Sequence, residues 1–198
     1  MSLDGLFDLL FKATAHPSVY VCGIALEALS AIAPHDKDLS TRVLPLLQGK
    51  AIIPFHLIGA EDDAIEGLGD YRDFRERVLK DALIACHAGC GSFYLESCAS
   101  AIEEFCLASP SPHLPYQLEA ALFCMVAVSG NVVNKFRNVQ KADATTINAD
   151  SDAQLICSHL EKIVPALAKN SFSSTSHPLV MAKMCRFLNE VSLLCSLH

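Results

Sequence analysis

The chain has 198 residues, of which 52% are hydrophobic and 19% charged, and its mean hydropathy is +0.33. So much apolar side-chain surface has to be hidden in a core or an interface, which excludes a disordered tail. The net charge of −7, from 15 basic and 22 acidic residues with no Lys/Arg cluster, argues against a nucleic-acid backbone as a direct partner. The richest apolar stretch, 118–128, has about half the length a bilayer-crossing helix needs, so a soluble protein without a membrane partner is expected.

Helix signals follow one another along the chain. Residues 2–14 place Leu3, Leu6, Phe7, Leu9 and Leu10 at helical spacing, with Ser2 as a cap. Asp4 and Asp8 interrupt that run, and it lacks the basic leader and cleavage site of a secretory signal. His16-Pro17 breaks the chain, Pro17 suits the first turn of a strongly apolar helix over 18–33, and Pro34 marks its end. A third helix over 38–48 is opened by Asp38 or Ser40 and closed by Gly49. Pro54, Gly59 and Gly67 then make 49–69 an irregular insertion ending in an acidic run, Glu61, Asp62, Asp63 and Glu66.

The helix expected over 70–88 is amphipathic. Phe74, Val78, Leu79, Ala82 and Leu83 line one side, and Arg72, Asp73, Arg75, Glu76 and Lys80 the other. Gly89 and Gly91 bracket its exit. Further helices are expected over 92–107 and, after the rigid SPSPHLP break, over 115–129. The polar composition of 131–150 reads as a second irregular insertion. Ser151 or Asp152 opens a helix over 151–169, and His177-Pro178 opens the last, over 177–196. Nine cysteines, an odd number, lie inside apolar helical stretches, which predicts free buried thiols in a reducing compartment, cytoplasmic or nuclear.

The pattern repeats. HPSVYVCGIALEAL (16–29) and HPLVMAKMCRFLNEV (177–191) share a His-Pro opening and a Val three positions after the His. TRVLPLLQGK (41–50) and EKIVPALAKN (161–170) both place a proline, Pro45 or Pro165, inside an apolar stretch with a basic end. Helices opening at Pro17, Asp70, Pro115 and Pro178 recur at an interval of about 40 residues once the two insertions are removed, which is the HEAT range. The count reads as a lone helix, three antiparallel pairs and a lone helix. The expected fold is therefore all-α, a right-handed α-solenoid (superhelix) of antiparallel HEAT-type helix pairs. It forms one array over 1–198 and a segment of a longer stack, because neither end supplies a clear polar capping face.

Residues 70–128 carry a resemblance. DYRDFRERVLKDALIAC, the following helix ending near Phe105, and QLEAALFCMVAV after a proline-marked break resemble the middle of importin-β-superfamily (karyopherin-β) nuclear transport receptors. The branch with transportin-3, importin-13 and the exportins is the most similar. The order continues with a loop, a helix carrying VPALA, and HPLVMAKMCRFLNEVSLLC. The resemblance implies nucleocytoplasmic protein import or export by a receptor that curls around protein cargo. It further implies that the small GTPase Ran in its GTP form switches the receptor, and that nucleoporins are further partners. A HEAT-repeat scaffold or adaptor without a GTPase partner is the alternative.

No enzyme chemistry is expected. Cys86-His87-x-x-Cys90, with Cys98 and Cys106 downstream, has the residue types of a zinc site, but it contains no CxxC pair and reads as buried small hydrophobes. Eight histidines beside nine cysteines guarantee chance neighbours, and none comes with a recognisable nucleophile motif. GCG at 89–91 is too short to cradle a phosphate and reads as a turn. Catalytic residues, metal and cofactor are therefore all read as none. The candidate partner-binding residues are Glu61, Asp62, Asp63, Glu66, Asp70 and Asp73, suited to a basic cargo or a basic face of Ran, against the plainer reading of a solvated loop.

Overall fold

A computed structural model describes residues 3–54, 57, 68–109, 111–142, 158, 159, 161, 162, 165 and 178–195. All regular structure among them is helical, which makes the fold all-α. The elements are α1 (Leu3–Ala15), α2 (Val19–Ile32), a 3₁₀ turn (Ala33–His35), α3 (Lys37–Ala51), α4 (Leu68–Asp73), a π turn (Phe74–Leu79), α5 (Lys80–Cys90), α6 (Ser92–Leu107), α7 (Leu114–Ala142) and α8 (Pro178–Cys195). Ser158, His159, Glu161, Lys162 and Pro165, within the helix expected over 151–169, are helical. The chain divides into two compact units, Met1–Cys90 and Gly91–His198.

In the first unit the helices join through short, locally determined breaks. The His16 ring folds back so that Nδ1 accepts the Ser18 N–H at 3.1 Å, which gives the His-Pro opening a turn-forming role. Helix α2 starts one residue after Ser18, so Pro17 precedes the helix and does not occupy its first turn. Pro34 falls in the 3₁₀ turn that ends α2. The cap of α3 is neither Asp38 nor Ser40: Asp36 Oδ1 accepts the Leu39 N–H at 2.9 Å. Ser40 is instead a buried residue whose hydroxyl donates to Ala33 O at 2.6 Å. Pro45 lies inside α3 on its exposed side, where water can meet the carbonyl that loses its donor.

Packing in this unit pairs α1 with α2 and α3 with α5. The pairs then meet like on like, α1 against α3 and α2 against α5 and the π turn, while α1 with α5 and α2 with α3 make at most marginal contact. This shifts the expected pairing by one helix, since 38–48 pairs with the helix that follows it and not with 18–33. Leu26, Leu29, Leu44, Leu47, Leu79 and Leu83, each no more than 1% exposed, form the core. Burying each stabilises the unit by about 2 kcal/mol.

Two expectations change where neighbours override composition. Ala51 is fully buried and carries α3 two residues past Gly49. Beyond it, of the expected insertion 49–69, Leu57 is buried and its N–H bonds Pro54 O at 2.9 Å. The helix expected over 70–88 runs through 68–90 and contains the π turn, where Lys80 N–H reaches back to Arg75 O. Each such turn advances the helix by one extra residue. Arg75, placed by the 3.6-residue period on the wet side, is consequently only 6% exposed.

In the second unit α7 is the central helix. Every residue from Leu118 to Ser129 is buried, and both α6 and α8 pack against α7. The Tyr94 hydroxyl of α6, itself fully buried, donates to Cys124 O of α7 at 2.7 Å. The expected loop over 131–150 is contradicted as far as Ala142, because α7 continues. Val132 and Val133 are buried while Asn131 and Asn134 are exposed, so these two asparagines lie on the wet face of a helix. By length and apolarity Leu114–Asn134 could cross a membrane, with a mean hydropathy of 1.3, but 72% of an 18-residue window within it is buried inside the fold.

Candidate functional site

Of the acidic candidates, Glu61, Asp62, Asp63 and Glu66 lie outside the described residues. Asp70 and Asp73 are exposed on α4, three residues apart and so on one face. Arg77 and Asp81 continue that face, and Arg72 is exposed beside it. The described part of the acidic surface thus carries both signs of charge, and its reach toward a basic partner is moderated by its own arginines.

The cysteine and histidine candidates are occupied by the fold. The Cys86 thiol donates to Ser40 O at 3.2 Å and the Cys90 thiol to Cys86 O at 3.1 Å, both buried. Among the described residues no three His, Cys, Asp or Glu side chains converge as metal ligands would. Burial pushes the Cys22 thiol above its ordinary range, an effect that the nearby Lys50 ammonium partly opposes. That is the reverse of what an activated nucleophile needs. Cys98, Cys106 and Cys124 are buried and not in disulfides, and Cys185 on α8 departs from the expectation of buried cysteines in being exposed.

The GCG turn contains two glycines with different duties. Gly91 has φ +57°, a backbone conformation that favours glycine, and lets α6 begin directly after α5. Gly89 lies inside α5 against the 3₁₀ turn and α3, where a Cβ would collide with Ala33 O and Ser40 Oγ. Helix ends in this unit are closed by neighbours in the same manner. Lys50 Nζ donates to Ala15 O at 3.2 Å and His16 O at 2.6 Å, covering the last carbonyl of α1 and the one just beyond it. The Tyr71 hydroxyl, 2.9 Å from both Lys50 O and Ile52 O, does the same for the end of α3.

A surface that sequence reasoning missed runs along α2. Tyr20 is 76% and Ile24 56% exposed, and Ala28 and Ala31 continue the same stripe at helical spacing with Glu27 beside it. Single exposed hydrophobes are ordinary, whereas an aligned pair this large on one helix is a candidate contact surface. The only signal available in the sequence was that α2 carries a single charge in fourteen residues, too few to clothe the face its neighbours leave open. On α6, Phe93 and Leu107 are exposed near opposite ends and do not form a continuous stripe.

Comparison of the chain with protein-family models, with curated proteins and with solved structures finds no match.

Proposed function

We propose that the chain is a segment of a right-handed α-solenoid of HEAT-type helix pairs that binds protein partners on exposed helix faces. The observation carrying this reading is the like-on-like packing of the first unit, α1 on α3 and α2 on α5. In an up-down-up-down bundle the second and third helices, and the first and fourth, would be close neighbours and would close one core. Here those two contacts are marginal, as in a stack where each hairpin lies on the next and its outer faces remain available. The exposed stripe of Tyr20 and Ile24 is the surface such a stack would offer. The resemblance of 70–128 to karyopherin-β receptors adds the finer proposal: a nuclear transport receptor segment, working in cytoplasm and nucleus, whose hold on cargo responds to Ran in its GTP form.

Binding and release is then the mechanism. Apolar burial at α2 supplies affinity, and the mixed-charge face of α4 and the π turn supplies orientation. The test is capture of soluble cellular proteins on the immobilised chain, followed by elution with Ran carrying a non-hydrolysable GTP analogue or GDP. Elution by the GTP form alone supports the receptor reading. Capture indifferent to either form overturns it in favour of a scaffold or adaptor. A Tyr20→Asp/Ile24→Asp chain with unchanged helicity should lose capture about tenfold or more, the loss of one or two buried anchors. Full capture by that variant would remove α2 as the contact surface.

A further inference from the structure

We draw no further inference here: the strongest candidate, the half-buried side-chain pair of Glu103 on α6 and His159 in the second unit, brings Oε1 and Nδ1 to 3.7 Å but has no third ligating side chain among the described residues, so it specifies neither a metal nor a ligand.

Discussion

Replacing Gly89 by alanine separates local helix preference from tertiary packing, because the two forecast opposite signs. Inside an α-helix the change favours folding by about 1 kcal/mol, since glycine has more backbone freedom to lose. At this position the new methyl would lie 3.0 Å from Ser40 Cβ and closer still to Ser40 Oγ and Ala33 O, against an ordinary contact of 3.4–4 Å. Ala33 O is backbone and cannot rotate away, and the Ser40 hydroxyl is pinned by its own 2.6 Å bond to that oxygen. The 3₁₀ turn and the start of α3 therefore have to shift by about 1 Å or more, an overpacking cost of about 1–3 kcal/mol. Losing the buried Ser40 bond adds about 1 kcal/mol. The expected net loss is about 2 kcal/mol, or roughly 8–16 °C in Tm for a unit of this size. Thermal unfolding followed by far-UV circular dichroism measures it. Ser40→Ala removes the Oγ obstacle and leaves Ala33 O and the residue-40 Cβ, so the loss from Gly89→Ala should be smaller in that background. A Gly89→Ala chain that melts at or above the parent temperature would refute the close crossing of α5 over the 3₁₀ turn.

Tyr71→Phe should cost about 1 kcal/mol, because the end of α3 loses its hydroxyl partner while the ring still fills its place. The urea midpoint should fall with no change in slope, and an unmoved midpoint would contradict the capping role. Brief alkylation with iodoacetamide, mapped by mass spectrometry, should modify Cys185 before Cys22, Cys86, Cys90, Cys98, Cys106 and Cys124, which stay protected until denaturant is added. Early labelling of any of those six would show that their burial is wrong. Since burial raises the Cys22 thiol, the folded state resists ionisation that the unfolded chain undergoes freely. Its contribution is intact below the ordinary thiol value of 9.0 and is lost as pH climbs from there through the folded value. A Cys22→Ala chain should therefore lose less stability than the parent between pH 7.5 and pH 10 in urea titrations, with equal losses as the contrary result.

Much of the helical order was legible in advance because its causes are local. The 3.6-residue spacing of apolar residues, with breaks at His16-Pro17, Pro34 and SPSPHLP, located α2 and α6 within a residue or two. Where composition and packing disagreed, packing won. The polar letters after Gly130 suggested a loop, yet Val132 and Val133 had a core to enter and held α7 in helix. The 3.6-residue period places Arg75 in water, yet it lies in the π turn and is buried. Among the candidate site residues, the exposure of Asp70 and Asp73 followed from amphipathicity alone, whereas the open face of α2 did not, because a helix apolar all round does not itself declare which side a neighbour will cover.

Helicity, the bounds of α2 and α6 and the setting of most thiols among apolar residues are local matters, since each follows from interactions within a few turns of chain. Which helices pair, why Gly89 must lack a side chain, and why Tyr20 and Ile24 stay in water emerge from packing alone. Those outcomes depend on contacts between residues tens of positions apart, and the free energy of burial belongs to the pair of surfaces that meet.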